Sequence, residues 1–398
     1  MLPSLVMAAM SIIAIFLDSK MVVGMFIAAT VAYFGLSFKK EVEPSYLNTL
    51  LIATLFVILA NFSLPMDVIL ASIFLVLIHE FRRGHIWNII LYTLAAFAFL
   101  FLFDISSGKN LDVSYLFFLA LAGGLTASLV ESIESGADKR ITILIAVATV
   151  FVIFKIYMPS TSLYILGLAF CISFVVSFLA LKAGVADESG SMSATIVGTT
   201  LIIFTDIRYF LTLLSFYILG SVVTKYKYDV KLYFGVAEQA GGARGYANVF
   251  GNSLAPLFFA IHYGVTGSPL FSYAFVASLA AALGDTMASE IGKTSCKVYL
   301  VTNFKRVPPG ESGGVSLIGE FAAISGAIVV ALSALILGII KANYFLPILL
   351  ASFISVHIDS LLGATLERKG LLTNSAVNLL ATFLSGVICI IFILLFYK

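Results

Sequence analysis

Apolar residues fill this chain in long continuous runs separated by short polar breaks. Runs long enough to cross or enter a bilayer fall at 2–17, 21–37, 46–62, 65–79, 87–103, 113–130, 141–157, 161–181, 192–205, 208–223, 247–263, 269–285, 315–340, 343–366 and 374–396. A spanning helix needs about 20 such residues, about 17 at the short end. The runs at 65–79, 192–205 and 208–223 are short, so re-entrant or broken segments are expected among them. The pattern predicts an all-α, polytopic transmembrane helix bundle of about 11–15 membrane segments. The runs do not alternate apolar with polar, which excludes a β-barrel. The first run lacks a basic leader and a small-residue cleavage site, so it reads as a retained helix rather than a signal peptide.

The polar breaks alternate in charge. Those at 38–45, 80–86, 131–140, 182–191, 224–246, 286–314 and 367–373 hold most of the 23 lysines and arginines, Lys39, Lys40, Arg82, Lys139 and Arg140 among them. The other set holds Lys20, Lys109, Lys155, Arg208 and Lys341, with Lys398 at the tail. The positive-inside rule puts the first set in the cytoplasm, with the N-terminus inside and the C-terminus outside.

Composition agrees. Of 398 residues, 61% are apolar and only 11% charged, where a soluble domain carries about 25% charged residues. The chain is therefore expected in the cell membrane. A net charge of +2 argues against nucleic acid as a partner. Cys171, Cys296 and Cys389 are scattered and form no CxxC pair, so neither zinc nor a disulfide framework is supported.

The breaks are short and poor in glycine up to about residue 155, and longer and richer in Gly, Asn and Ser from about 160. This predicts an accessory N-terminal transmembrane region, 1–157, and a catalytic transmembrane domain, 158–398. "GGLTASLVESIESGADKR" (123–140) loosely echoes "LGDTMASEIGKTSCK" (283–297), with Leu125 where the second copy has Asp285, so the first region reads as a degenerate repeat.

Four segments of the second region carry candidate chemistry. In 225–252, Glu238, Gly241, Gly242, Arg244, Asn248 and Asn252 stand together; a Gly-Gly pair beside an arginine lets backbone and guanidinium approach an anion. In 282–295, Gly292-Lys293-Thr294 mimics a P-loop but has Met287 where the first glycine belongs, so that motif fails. As a helix, that stretch puts Asp285, Ser289 and Lys293 on one face with Glu290 beside them. Carboxylates and hydroxyls at a membrane boundary suit Mg²⁺, which takes hard oxygen ligands together with substrate phosphates.

In 305–322, Pro308, Pro309 and Gly310 stop any helix, and Gly313 and Gly314 lead into one beginning near Val315, with Ser316, Gly319 and Glu320 in its first turns. A Gly-rich loop feeding a helix N-terminus, with Lys305 and Arg306 near, suits phosphate. Glu320 lies in an apolar run, where acids are costly and functional by default. In 357–378, Asp359, Gly363 and Glu367 repeat at i, i+4, i+8, with Asp359 roughly 12 Å below the helix end at 1.5 Å per residue. Asn374 and Asn378 repeat that spacing at the start of the last run, while His357 reads as packed or pore-lining. No nucleophile–base pair stands out, and the inventory fits phosphoryl or nucleotidyl transfer.

"GDTMASEIGK", "PPGESGGVSLIGE", "DSLLGATLE" and "TNSAVN", in that order, resemble the integral membrane family that includes phytyl-phosphate kinase. The CTP-dependent polyprenol kinases and CDP-archaeol synthase resemble it more distantly. The resemblance covers about 160–398. It implies transfer of a phosphoryl group from a nucleoside triphosphate, CTP foremost, to an isoprenyl monophosphate, with Mg²⁺ as cofactor and the site at the cytoplasmic face. Carried onto this sequence, it makes Asp285 a metal ligand with Ser289 and Glu290 beside it, has Gly313, Gly314 and Ser316 hold nucleotide phosphates, and gives Asp359 and Glu367 a second metal or the substrate phosphate. With the residue-by-residue reading, the catalytic set is Asp285, Asp359, Lys293 and Glu290. The phosphate-binding set is Arg244, Asn252, Ser289, Lys305, Gly313, Gly314, Ser316, Asn374 and Asn378, and the metal ligands are Asp285, Asp359 and Glu367. A polyprenol kinase, a lipid cytidylyltransferase and a lipid or solute transporter remain alternatives, and a homodimer remains open.

Overall fold

The computed structural model describes residues 2–38, 43–238 and 240–396. Lys39, Lys40 and Lys398, counted above in the charge pattern, lie outside the described residues. The fold is an all-α, polytopic bundle, as the run pattern predicts. Among the described residues, eleven helices are long and apolar enough to cross a membrane.

Contacts divide the chain into two compact units, Met1–Leu168 and Ala169–Lys398. The first holds α1 (Leu2–Ala14), α2 (Ser19–Phe38), α3 (Pro44–Phe62), α4 (Met66–Ile78), α5 (His85–Ser107), α6 (Val113–Ser132) and α7 (Lys139–Tyr157). In it α6 packs between α5 and α7, and α4 packs on α1, α5 and α7. The division falls inside α8 (Leu163–Lys182). The second unit continues with α9 (Glu188–Phe204), α10 (Ile207–Lys225), the short α11 (Tyr228–Tyr233), α12 (Tyr246–Thr266), α13 (Pro269–Gly292), α14 (Leu317–Ile336), α15 (Phe345–Leu362) and α16 (Asn374–Phe396).

Four apolar runs are not among the eleven. The runs at 2–17 and 65–79 become helices of 13 residues, α1 and α4, and that at 192–205 becomes α9, of 17. The run at 247–263 becomes α12, which carries Asn248, Asn252, Ser253 and Pro256 and is not among the eleven. The short run at 208–223 instead extends to a full helix, α10, whose N-cap Asp206 accepts from the Arg208 amide.

Helix α13 is the centre of the second unit and packs on α10, α12, α14, α15 and α16. Its buried face is built of small residues, Ala274, Ala277, Ala280, Ala281, Ala282 and Gly284. Small residues let helix backbones approach closely where lipid gives no hydrophobic drive. At the α13–α14 crossing, a Cβ on Gly326 would lie 3.0 Å from the Leu283 carbonyl oxygen and one on Gly284 would lie 3.0 Å from that of Ala323. That close crossing fixes the position of Asp285, one residue on.

Two sequence expectations are corrected here. Gly314–Val315 do not begin a helix; they form strand β3 of a three-stranded sheet ordered β2 (Arg306–Val307), β1 (Val298–Leu300), β3. Pairing of Tyr299 with Val315 and Leu300 with Gly314 holds that backbone extended, so α14 starts only at Leu317. The second concerns the face shared by Asp359, Gly363 and Glu367. After Leu362 the chain widens into a π turn, Gly363–Glu367, closed by a bond from the Arg368 amide to the Gly363 carbonyl. The wider turn rotates Glu367 off the i, i+8 position of an α-helix. The cause is close packing: a Cβ on Gly363 would sit 3.1 Å from the Gly313 nitrogen, and one on Gly313 would sit 2.6 Å from the Ser360 carbonyl oxygen.

Candidate active site

Asp285 on α13 and Asp359 on α15 face each other across one small cavity, with Asn252 of α12 and Asn378 of α16 completing its polar wall. The two carboxyl groups lie close enough across this cavity to interact directly. Carboxylates that close repel each other unless a proton or a cation lies between them. Asn378, its amide oriented by its surroundings, donates to Asp359 Oδ2 at 3.3 Å and to the Asn374 carbonyl at 3.2 Å. Asn252 donates from Nδ2 to the Asn248 carbonyl at 3.0 Å. Its Oδ1, buried beside the two carboxylates, has no hydrogen-bond donor. The remaining wall is Ala281, Ala282, Ser355, Val356, Ala381 and Thr382. The cavity measures about 10 Å³, the room of one water-sized particle. A bare ion or a single water fits it; a nucleotide does not.

Buried polar atoms without partners continue along α12 toward its start. Asn248 Oδ1, one turn before Asn252, is buried and unpartnered, and so is Arg244 Nη1. The Arg244 backbone is tied to the 185–187 segment, donating to the Val185 carbonyl at 2.9 Å and accepting from the Asp187 amide at 3.2 Å. Its guanidinium lies over Phe216 at 5.3 Å and Tyr217 at 5.9 Å. Gly220 makes the room, since a Cβ there would meet Nη2 at 2.4 Å. Burial pulls the Arg244 guanidinium below its ordinary pKa, but an arginine still keeps its charge. A buried charge without a carboxylate partner is costly, and an anion offsets that cost.

Glu290 and Lys293 belong to a separate ionic group and do not line the cavity. Lys231 Nζ donates to Glu290 Oε2 at 2.5 Å and to the carbonyls of Val223 and Thr224 at 3.1 and 2.8 Å. Lys293 donates to Glu290 Oε1 at 2.6 Å and Glu238 Oε1 at 3.1 Å. Burial disfavours the Lys293 ammonium, but the carboxylates of Glu290 and Glu238 outweigh it and raise its pKa. The charge of Lys293 still acts on Asp285 across the helix end.

The other expected residues are scattered. Ser289 is exposed and donates to the Thr286 carbonyl. Ser316 is buried and is spent as the N-cap of α14, accepting from the Gly319 amide at 3.2 Å. Gly314 is held in β3, and Gly313 packs on α15 and the π turn. Lys305 is exposed in the turn joining β1 to β2. Asn374 is exposed at the start of α16. Glu367 accepts from Ser312 Oγ at 3.3 Å while its charge still acts on Asp285 and Asp359. Among the described residues, no three His, Cys, Asp or Glu side chains converge to hold a metal ion. The expected trio of Asp285, Asp359 and Glu367 therefore does not close as a protein-only cage. Glu320 and His357, noted separately in the sequence, meet at 3.4 Å. Lys231 was visible in the sequence only as one more positive charge, since nothing local marks a lysine for burial.

Residues 171–386 match the profile of the family described as integral membrane protein DUF92. The chain belongs to this family. The DUF92 segment contains Arg244, Asn252, Asp285, Asp359 and Asn378, while the whole of the first unit lies outside it. Relatives include an uncharacterised membrane protein of Methanocaldococcus jannaschii, 35% identical over 54% of this chain and 88% of its own length. Another, from Synechocystis, is 33% identical over 54% and 87%. Protein VTE6, chloroplastic, of Arabidopsis thaliana is 33% identical over 52% of this chain and 64% of that protein. No solved structure matches.

Proposed function

We propose that this DUF92 protein is a membrane-embedded isoprenyl-phosphate kinase, transferring a phosphoryl group from a nucleoside triphosphate, CTP foremost, to an isoprenyl monophosphate. The observation that carries this reading is the Asp285–Asp359 contact beside the unpartnered Asn252 Oδ1. Two carboxylates and an amide oxygen form an all-oxygen donor set at a cavity the size of one ion. Mg²⁺ is held in this way, by one or two carboxylates with the rest of its shell from water and substrate phosphates. That accounts for the lack of a third acidic ligand.

Asp285, Asp359 and Asn252 would hold the ion, which when bound neutralises charge on the transferring phosphoryl group. Asn378 keeps Asp359 aimed at the cavity through its amide. Arg244 offers a guanidinium N–H to the triphosphate beside the start of α12. A prenyl chain lies between helices while its phosphate meets the polar end, the expected arrangement for a lipid acceptor. Phosphoryl transfer asks the protein for positioning and electrostatics rather than covalent catalysis, and the absence of a nucleophile–base pair in the sequence agrees with that demand. The motif resemblance to the phytyl-phosphate kinase family supports the same reaction. In this reading the protein sits in the cell membrane, and the charge of the loops supports a site facing the cytoplasm.

The test is an incubation of purified protein with Mg²⁺, γ-labelled CTP or ATP and a short isoprenyl monophosphate. Label in a lipid diphosphate supports the reading and ranks the nucleotides. Pyrophosphate release without labelled lipid indicates nucleotidyl transfer instead. Neither signal, across several lipids, shifts the reading to a transporter.

A further inference from the structure

The first unit carries a polar cavity of its own, of about 420 Å³, lined by His79, Arg82, Glu131, Asp138, Lys139 and Arg140. Its wall is a chain of hydrogen-bonded groups, buried at His79 and Tyr92 and reaching solvent at Arg82. Glu131 Oε1 accepts from His79 Nδ1 at 2.7 Å and from the Tyr92 hydroxyl at 2.8 Å. Arg82 Nη1 lies 3.1 Å from His79 Nε2. A guanidinium only donates, so Nε2 accepts and Nδ1 carries the proton toward Glu131. Titratable groups packed into a bundle of apolar helices are expensive, and their retention calls for a use.

The cations around the cavity are not equally engaged. Arg140 donates to Glu80 at 3.1 Å and to the Tyr46 hydroxyl at 2.9 Å. Lys139 donates to the Val130 carbonyl at 2.6 Å and to that of Ile133, closing the end of α6. Asp138 is the N-cap of α7, accepting from the Arg140 amide at 2.9 Å. Both carboxylates on the wall therefore already have donors. Arg82 is different: among the described residues its hydrogen bonds go to His79 alone, through Nη1 to Nε2 and to the carbonyl, which leaves Nε and Nη2 without partners there. Lys139 and Arg140 also stand in the first turn of α7, where the helix dipole disfavours cations and an anion relieves the field.

We propose that this cavity binds a phosphate group, held by the free edge of the Arg82 guanidinium in front of the first turn of α7. A guanidinium fork matches two phosphate oxygens. The volume admits a phosphate monoester as well as the bare ion. The ligand is either a soluble phosphate or the phosphate headgroup of a lipid, since the chemistry that recognises them is the same. This inference concerns the first unit alone and stands whether or not the second unit transfers phosphoryl groups.

Trp87, the one tryptophan of the chain, lies five residues after Arg82 at the start of α5, and Asn88 Oδ1 beside it accepts from the Arg83 amide at 2.8 Å. It is a local reporter. The full-length protein in detergent is titrated with inorganic phosphate, following Trp87 fluorescence and, in parallel, calorimetric heat. Saturable binding in the wild type is expected, weakened about tenfold or more in Arg82→Gln and partly restored in Arg82→Lys. Asp285→Asn, which removes a carboxylate from the transfer site, is expected to keep the Trp87 response. Arg82→Gln binding phosphate as tightly as the wild type overturns the proposal, as does a wild type that shows neither fluorescence change nor heat. In nanodiscs, displacement of phosphate by phosphatidic acid identifies the lipid headgroup as the ligand. Phosphate binding that phosphatidic acid leaves unchanged identifies the soluble ion.

Discussion

Lys231 and Glu290 form an ion pair at 2.5 Å with side chains only 1% and 4% exposed. The lysine ammonium also meets the two carbonyls that end α10, so its three donors are all used. The pair pins α11 to the end of α13, one turn beyond Asp285. Lys231→Met leaves Glu290 with Lys293 alone, and a loss of about 3 kcal/mol is expected from an incompletely paired buried carboxylate. Thermal unfolding in detergent measures it. Adding Glu290→Gln to Lys231→Met is expected to recover part of the loss; no recovery would mean the lysine acts by packing.

Asp285→Asn and Asp359→Asn preserve shape while removing one charge each. Transfer activity is expected to fall about 100-fold or more in either variant, with unchanged elution on gel filtration. Full activity in one of them removes that residue from the site. Exhaustive chelation should also stop transfer.

Ser316 separates capping from phosphate binding. Ser316→Ala removes the acceptor for the Gly319 amide and is expected to cost about 1 kcal/mol of stability. Nucleotide affinity, measured as KM for the triphosphate, should not move. A rise in KM with stability unchanged would return Ser316 to the phosphate site.

Lys293 sets an alkaline limit. Its folded pKa is raised by Glu290 and Glu238. A raised pKa contributes stability that is complete below the unfolded lysine value of about 10.4 and is lost as pH rises through the folded value. The melting temperature is therefore expected to hold from neutral pH to about pH 10 and to drop above it. Lys293→Met should flatten that alkaline drop; an unchanged drop would assign it to other groups.

The helix count and class were legible because length and apolarity are local properties: each run such as 113–130 had to satisfy its own backbone hydrogen bonds in lipid. Asp285 and Asp359 were also legible, since an acid in an apolar run announces its cost in the sequence itself. The π turn after Leu362 was not. It arises from the approach of Gly313 to Gly363, two positions that nothing in the sequence joins. The extended backbone at Gly314 was hidden for the same reason, because a two-residue strand exists only once its partner at Tyr299–Leu300 lies beside it.

By itself, then, the sequence determined that this protein lives in a membrane as a helical bundle and which carboxylates sit where charge is expensive. Only the tertiary structure decided which of those groups meet. It set Asp285 against Asp359 and gave Glu290 to Lys231 and Lys293. It also assigned Ser316 to a helix cap and left Arg82 with an open edge. The physical reason is distance: a hydrogen bond or an ion pair acts over about 3 Å, and residues separated by tens of positions reach it only when packed helices bring them there.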